Sequence, residues 1–228
     1  MKAVLKYPGA KWRISEWIIS HFPEHKVYCE PFFGSGAVFF NKPQTYIETI
    51  NDIDGNIVNL FKVCRDNPEE LARLIEFTPF AREEFENCYD KSDDSLEQAR
   101  RTLVRYHQSF GTSNSSKKSW RNVQTYGGPR TATMWNYLPG RISEICARLK
   151  EAQIENIDAI ELIRRYNDEN TLLYCDPPYL QSFRRKNMYS CELPEEYHIN
   201  LLSVLKESKS KIVLSGYDSQ LYLSLIHI

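Results

Sequence analysis

Short apolar runs alternate along the chain with longer stretches in which apolar residues recur every three or four positions. Uninterrupted apolar runs are typical of parallel strands, which are buried on both faces and need no polar side. The runs predict strands over residues 27–29, 46–50, 152–156, 172–175 and 211–215. The longer stretches predict helices over residues 15–20, 37–40, 56–63, 68–76, 79–89, 95–108, 138–149, 159–166 and 195–208. Because strands and helices alternate, we expect an α/β fold.

One apolar run ends in an unusual way, since residues 172–179 read LLYCDPPY. Proline cannot donate to a sheet ladder, so Pro177 and Pro178 end the strand abruptly. A residue before proline favours extended geometry, which holds Asp176 out at the carboxyl end of the strand. Ligands of open α/β sheets bind at that end. Taken alone, the stretch is equally compatible with a plain strand-to-turn junction.

A glycine turn and acidic residues follow other predicted strands. Residues 30–36 read EPFFGSG between a strand and a helix, where glycines let the backbone approach a ligand, although the third glycine of the dinucleotide fingerprint is missing. Asp52, our first choice, or Asp54 follows the next strand about 20 positions on, where a carboxylate suits a ribose diol. Asp54 could instead cap the next helix. Asp158 could cap a helix or accept from the amine of a bound adenine. Together these features predict an adenosine-type ligand.

The N-terminal turn has two interpretations. Residues 7–11 read YPGAK and combine an aromatic ring, a turn and a lysine. They could be an arm that packs on the core or a loop that folds over the polar end of a ligand.

Basic residues are concentrated in one segment, although the net charge of the chain is only −1. Residues 98–143 contain eight Lys or Arg and no Asp or Glu, and the remaining chain carries 21 basic against 30 acidic residues. Aromatic residues lie among these cations, and residues 120–133, with a YGGP turn, predict a hairpin. A solvated helical subdomain is one interpretation. Segregated positive charge favours the other, a surface that binds nucleic acid.

Several classes of protein are not expected. The chain has no run of about 18 apolar residues and no N-terminal apolar segment, so we expect neither a membrane span nor a secretory signal. Its six cysteines are scattered without a Cys-x-x-Cys pair, which predicts reduced thiols in the cytoplasm. His21 and His25 have no third ligand nearby, so we expect surface histidines and no metal.

Four motifs in order resemble the Dam-like (D12 class) family of adenine-specific DNA methyltransferases, which act at the amino group on C6 of adenine. The motifs are YPGAK at 7–11, EPFFGSG at 30–36, NDID at 51–54 and DPPY at 176–179, and the resemblance covers nearly the whole chain. It implies the Rossmann-like fold of S-adenosylmethionine-dependent methyltransferases, with a mostly parallel seven-stranded sheet. Residues 1–62 and 146–222 would form the catalytic domain, and residues 63–145 an inserted, mainly helical target recognition domain.

The resemblance also implies roles for individual residues. Those expected to bind S-adenosylmethionine are Tyr7, Lys11, Glu30, Phe32, Gly34, Gly36, Asp52, Asp158 and Asp176. The expected catalytic residues are Asp176, Pro177, Pro178 and Tyr179: the first two would orient the amine of a flipped-out adenine, and Tyr179 would stack on the base. The cations expected to bind double-stranded DNA are Arg105, Lys117, Lys118, Arg121, Arg130, Arg184 and Arg185. We expect the protein to be a monomer.

The sequence departs from the family pattern at two places. Ala10 replaces the usual second glycine before the lysine. The chain also stops soon after the fifth strand, where the family continues into a β-hairpin, so we expect C-terminal strands to be missing. Residues 223–228 read LSLIHI, and we expect a non-native tail that resembles a translated sequencing-transposon end.

Other functions compatible with the sequence are methyl transfer to cytosine N4, to RNA or to a protein amide, and DNA binding without catalysis. An Asn or Ser in place of Asp176 would have favoured the other acceptors, and the basic segment argues against a protein amide.

Overall fold

A computed structural model describes residues 1–110, 119–128, 130–180 and 191–225 of the chain. Its centre is a five-stranded parallel sheet with the strand order β3-β2-β1-β4-β5. The strands are β1 (Val27–Glu30), β2 (Ile47–Asn51), β3 (Gln153–Glu155), β4 (Thr171–Cys175) and β5 (Lys211–Leu214). All five predicted strands are confirmed, and the sheet is consistent with a Rossmann-like methyltransferase fold.

Helices connect the strands and cover both faces of the sheet. They are α1 (Ser15–Ser20), α2 (Gly55–Asp66), α3 (Pro68–Phe77), α4 (Arg82–Asn87), α5 (Ser95–Gln108), α6 (Thr131–Trp135), α7 (Leu138–Lys150), α8 (Ala159–Arg165), α9 (Glu195–Glu207) and α10 (Gln220–Leu225). The sequence predicted eight of these, with different bounds for some, and missed α6 and α10, which are only five and six residues long.

Two predicted elements are wrong. Residues 37–40 form consecutive turns in place of a helix. The hairpin over 120–133 is also not found in the described part of that segment: Trp120 makes one antiparallel bridge to Ser109, and α6 begins at Thr131. The turn predicted at its tip does form, with the Gly128 N–H donating to the Thr125 carbonyl at 3.3 Å. A turn signal alone does not pair the flanking residues, because pairing also needs a backbone partner on each side.

Alternate residues of the strands face two different cores, which explains the uninterrupted apolar runs. Tyr28, Leu172 and Tyr174 lie in the larger core. Cys29 and Leu173 point the other way into the smaller core, which α8 and α9 cover. Every position of β4 and all but the first of β1 are therefore buried.

The helices of the predicted recognition segment pack directly on the catalytic part. Leu71 of α3, Leu103 of α5 and Ile145 of α7 belong to the same buried cluster as Phe61 of α2 and Tyr28 of the sheet. The larger core is continuous across residues 62 and 146, so the boundaries drawn there stay a prediction.

A buried ion cluster lies below the amino end of β2. The Glu48 carboxylate accepts from Lys42 Nζ at 2.5 Å and from both terminal nitrogens of Arg148. The Glu48 side chain is completely buried, as is nearly all of Lys42. The cluster joins the segment that follows the glycine turn to β2 and α7.

Candidate functional site

The candidate site lies where the sheet topology reverses direction. The chain builds from β1 to β2 and β3 on one side, then returns to place β4 and β5 on the other side of β1. The carboxyl ends of β1 and β4 are therefore adjacent, and loops diverge there and leave a crevice. An open cavity lies in this crevice, as expected for the ligand-binding edge of an α/β sheet.

Most of the predicted site residues line this cavity. They are Tyr7, Lys11, Glu30, Phe32, Gly34, Asp52, Asp158, Asp176 and Pro178. Gly36, Pro177 and Tyr179 are not part of its wall. The N-terminal turn thus lines the cavity, while Tyr7 also packs against the larger core.

The glycine turn needs both of its glycines. Gly34 and Gly36 have φ values of +51° and +66°, a region that side chains with a Cβ rarely adopt. A Cβ on Gly34 would lie 2.9 Å from the Tyr7 ring, and one on Gly36 would lie 2.4 Å from the Phe33 ring. Gly34 therefore lets Tyr7 pack on the turn at the cavity wall. Gly36 is not part of the wall and lets the Phe33 ring pack closely on the turn.

Asp52 ties the glycine turn to the end of β2. Its carboxylate accepts from the Gly34 N–H at 2.8 Å and from the Asp54 N–H at 2.9 Å. Burial raises the pKa of Asp52 to about 6, although the backbone donors oppose the shift. Asp54 also lines the cavity but caps α2, where it accepts from the Asn56 N–H at 3.0 Å. Asp54 therefore caps a helix, whereas Asp52, the first choice for the ribose, does not.

Glu30 ends β1 with a carboxylate that is almost inaccessible to bulk water. Only 2% of the residue is exposed, and the Tyr28 hydroxyl donates to Glu30 Oε2 at 2.7 Å. Burial raises the pKa of Glu30 to about 8. The hydrogen bonds from Tyr28 and the Phe39 backbone oppose the shift, and the charge of Asp176 adds to it.

Asp158 caps a helix, as one of its two interpretations expected, and its second oxygen bonds to a tyrosine, so acceptance from an adenine amine stays a prediction. One oxygen, Oδ1, caps α8 by accepting from the N–H groups of Ile160 at 3.0 Å and Glu161 at 3.2 Å. The other, Oδ2, faces the cavity region and accepts from the Tyr197 hydroxyl at 2.7 Å. Sequence reasoning missed Tyr197, since the start of α9 carries no motif and only the tertiary structure brings it beside Asp158.

Asp176 is paired with the lysine of the N-terminal turn. Lys11 Nζ lies 2.8 Å from Oδ1 and 2.6 Å from Oδ2, and it also donates to the Gly9 carbonyl at 2.8 Å. Burial raises the pKa of Asp176, and Lys11 opposes this shift. Burial also lowers the pKa of Lys11, but the charge and hydrogen bond of Asp176 outweigh it, so the net shift is upward. The pair connects residues that are 165 positions apart.

Tyr179 stands beside the cavity and is held by residues that follow β5. Its hydroxyl is 2.9 Å from Ser215 Oγ, and its ring meets Tyr217 edge-on at 4.8 Å. Lys11 Nζ lies 5.0 Å from the ring centre. No sequence motif pointed to Ser215 or Tyr217, because their contacts with Tyr179 depend on β5 pairing with β4.

The cations predicted to bind DNA divide into three groups. Arg121 and Arg130 line an open groove of about 1310 Å³ that also contains the rings of Trp120 and Tyr126. Arg105 is half-buried, with its guanidinium 5.1 Å from the centre of the Tyr89 ring. The remaining predicted residues, which lie outside the described ranges, are Lys117, Lys118, Arg184 and Arg185.

Three cations of the basic segment bind other groups of the protein. The segment therefore offers less positive charge to nucleic acid than its sequence suggests. Arg100 binds both Glu84 and Glu97 at 2.7 Å, and Arg101 binds Glu97 at the same distance. Arg141 donates to the Ala3 carbonyl at 2.9 Å. Counting charges along the sequence overestimates the free positive charge, since helices α4 and α5 bring acidic residues back onto it.

In the part of the chain that the structure describes, no helix is long and apolar enough to cross a membrane. Within the same ranges, no group of three or more His, Cys, Asp or Glu residues could hold a metal ion.

The parallel sheet, the glycine turn and the acidic strand ends define a Rossmann-like protein with a nucleoside-type cavity. The chain belongs to the family of D12 class N6 adenine-specific DNA methyltransferases, whose sequence model matches residues 7–227. It is therefore an adenine-specific DNA methyltransferase, and DNA is its substrate, as the four motifs predicted.

Proteins named DNA adenine methylase are similar to the chain over most of their length. One from Haemophilus influenzae is 25% identical over 233 residues, which cover 95% of this chain and 79% of that protein. One from Escherichia coli (strain K12) is 24% identical over 235 residues, which cover 96% of this chain and 82% of that protein. One from Vibrio cholerae is 26% identical over 190 residues.

Proposed function

We propose that the protein transfers a methyl group from S-adenosylmethionine to the N6 amine of an adenine that is flipped out of double-stranded DNA. The cavity at the carboxyl ends of β1 and β4 would bind the cofactor, and residues 176–179 would receive the adenine. The observation that carries this proposal is the acidic cavity wall. Five carboxylates line it beside the glycine turn, those of Glu30, Asp52, Asp54, Asp158 and Asp176.

The residues of the wall fit this cofactor. S-adenosylmethionine is positively charged at its sulfur and its amino group, so buried carboxylates suit it, while Lys11 is the one cation among the described residues of the wall. Each oxygen of Asp52 accepts one backbone hydrogen bond and keeps a further lone pair that a ribose hydroxyl can use. Tyr7 covers the glycine turn, which gives an aromatic surface at the same wall.

The chain's residues would prepare the amine of adenine for the reaction. When bound, the cofactor supplies a methyl group on a positively charged sulfur. Asp176 and the Pro177 carbonyl accept the two N–H bonds of the amine and so turn its lone pair away from the ring. Because proline fixes the backbone after Asp176, the two acceptors are held without reorganisation. This is catalysis by positioning and electrostatics, with no covalent bond between enzyme and substrate.

Lys11 would favour the ionised form of Asp176 until the substrate arrives, because it opposes the upward shift that burial imposes on the pKa of that carboxyl. The lysine lies within 2.8 Å of both carboxylate oxygens in the structure. Each oxygen has a second lone pair, so the amine can bind Asp176 while the lysine remains or moves towards another acceptor.

Tyr179 would hold the flipped base. Extrusion of a base costs a few kcal/mol, and stacking on an aromatic ring returns about 1–3 kcal/mol. Ser215 and Tyr217 restrict the tyrosine ring to one orientation before the base arrives. Less conformational freedom is then lost on binding.

The test is methyl transfer from tritiated S-adenosylmethionine to DNA, followed by digestion and identification of the labelled base. We expect N6-methyladenine from the wild-type protein. Asp176→Ala should reduce transfer at least a thousandfold, with DNA affinity within about threefold of wild type, because positioning of the amine is lost. Labelled N4-methylcytosine, binding without transfer by the wild type, or near-normal transfer by Asp176→Ala would contradict the proposal.

A further inference from the structure

We propose that Tyr28 is a positioning residue that holds the Glu30 carboxylate at the cavity, and that Glu30 releases a proton when the cationic cofactor binds. This inference rests on the proposed function, because it takes the cavity to be the S-adenosylmethionine site. Tyr28 itself is not part of the cavity wall, so its effect must pass through Glu30.

The strand places the two side chains in register. Tyr28 and Glu30 are two positions apart on β1 and therefore project to the same side of the sheet. The phenol oxygen is 2.7 Å from Glu30 Oε2, and the tyrosine is fully buried. The hydroxyl thus has a carboxylate as its partner in a place that water does not reach.

The tyrosine ring is itself fixed from behind. Lys42 Nζ lies 4.4 Å from the ring centre, and Glu48 binds the same ammonium at 2.5 Å. The Phe22 ring packs at 6.0 Å. A ring held between an ion pair and an aromatic neighbour cannot swing away, so the hydroxyl is a preorganised donor.

Groups on several elements determine the charge of Glu30. Apart from Tyr28, these are the Asp176 carboxylate beyond β4, the Lys42 ammonium, the Tyr174 phenol, the Cys29 and Cys175 thiols and the backbone N–H of Phe39. Lys42 is the one cation among these groups, and it is paired with Glu48 and not with Glu30.

This environment leaves the carboxylate short of positive charge until a ligand supplies it. Burial raises the pKa of Glu30 to about 8, so at pH 7 most molecules carry a proton there. A cationic ligand favours the ionised form and lowers that pKa, because opposite charges attract strongly in a buried site. Binding at neutral pH should therefore release a proton, and affinity should rise with pH until it levels off above pH 8.

The first experiment measures S-adenosylmethionine binding by isothermal titration calorimetry between pH 6 and pH 9. Wild-type affinity should rise by up to about tenfold per pH unit towards pH 8. In Tyr28→Phe the carboxylate loses a donor that favours its charged form. We expect about tenfold weaker binding at pH 7.5 and a pH profile displaced upward. Tyr166→Phe is the matched control: it removes a phenol that binds Thr49 Oγ1 away from the cavity, and it should bind like the wild type.

A double-mutant cycle separates positioning from a general effect on folding. If Tyr28 acts through Glu30, Tyr28→Phe should weaken binding in the wild-type background and have no further effect in Glu30→Gln. A merely structural tyrosine would weaken binding equally in both. Equal effects in both backgrounds, or unchanged binding by Tyr28→Phe at every pH, would overturn the inference.

Proton release gives a readout that needs no tyrosine variant. Calorimetry at pH 7 in buffers of different ionisation enthalpy should show release of up to about one proton by the wild type and markedly less by Glu30→Gln. Asp52 contributes little there, because its pKa is about 6. Equal release by the two proteins would overturn the inference. This test does not require that Tyr28→Phe folds. A wild-type protein that binds no S-adenosylmethionine at any pH would instead refute the proposed function.

Discussion

At the scale of single residues, the site is distinguished by buried carboxylates that have no cationic partner among the described residues. Burial raises the pKa of both Glu30 and Asp52 above the ordinary value for a carboxyl group. A protein optimised for stability alone would avoid this cost. Burial raises the pKa of Asp176 as well, but there Lys11 opposes the shift. The arrangement favours a cationic ligand beside Glu30 and Asp52, which have no such lysine.

The glycine turn gives a prediction at this scale. Gly34→Ala should lower the free energy of unfolding by about 1–2 kcal/mol, because φ at this residue is +51° and an L side chain is strained there. The new methyl group would also press on the Tyr7 ring, so S-adenosylmethionine binding should weaken. Urea unfolding and calorimetric titration measure the two effects.

Gly140→Ala is the control for this substitution. Gly140 lies in α7, and a Cβ there would meet nothing within 4 Å. Alanine should add about 0.5–1 kcal/mol to the free energy of unfolding and leave binding unchanged. A Gly34→Ala protein as stable as Gly140→Ala would show that the turn does not need its glycine.

At the scale of elements, strands were easier to predict than short connecting segments. Strands β1 and β4 are buried on both faces, so each appears in the sequence as an uninterrupted apolar run. Helices α2 and α5 are long and amphipathic, and the Asp54 and Asp94 caps mark where they begin. The turns at 37–40 and the short helix α6 depend instead on contacts with distant residues, which local sequence does not record.

The buried ion cluster at β2 gives a prediction for the elements that it joins. Glu48→Gln leaves Lys42 and Arg148 buried without a carboxylate, and should lower the free energy of unfolding at pH 7 by about 3–5 kcal/mol. Glu161→Gln is the control, since its partner Arg165 and the glutamate are both more than half exposed. It should cost less than about 1 kcal/mol.

The pH dependence of unfolding tests the same cluster. Burial alone would raise the pKa of Glu48, but Arg148 and Lys42 outweigh it and hold the pKa below its usual value. Its stabilisation is therefore complete above the unfolded pKa of about 4.3 and is lost as pH falls through the folded pKa. Urea unfolding at pH 7 and pH 3 should show a smaller difference between wild type and Glu48→Gln at pH 3. A constant difference would contradict this account.

At the scale of the whole molecule, the segment over residues 63–145 and the sheet share one core, and several cations of that segment bind groups of the protein itself. Arg100, Arg101 and Arg141 serve internal contacts. Arg121 and Arg130 line the open groove. The formal charge of a segment is thus a poor measure of what it offers to a phosphate backbone.

These two arginines carry the prediction for DNA binding. Arg121→Ala or Arg130→Ala should weaken DNA binding and reduce the slope of log affinity against log salt concentration by about one for each lost phosphate contact. Arg165→Ala is the control. This exposed arginine belongs to α8, which covers the smaller core, whereas Trp120 of the groove packs on the larger core. Fluorescence anisotropy at several salt concentrations measures the slopes. Slopes equal to that of Arg165→Ala would remove the arginines from the interface.

The sequence by itself determined the strands, most of the helices, the family and the charged residues of the cavity wall. These features are local: a buried parallel strand is an apolar run, and the residues at its carboxyl end, such as Glu30 and Asp176, must lie at the ligand edge. Only the tertiary structure decided how those residues are partnered. Tyr28 bonds to Glu30, Tyr197 to Asp158 and Ser215 to Tyr179. It also decided which cations stay free, because an ion pair depends on the packing of whole helices and not on the order of residues.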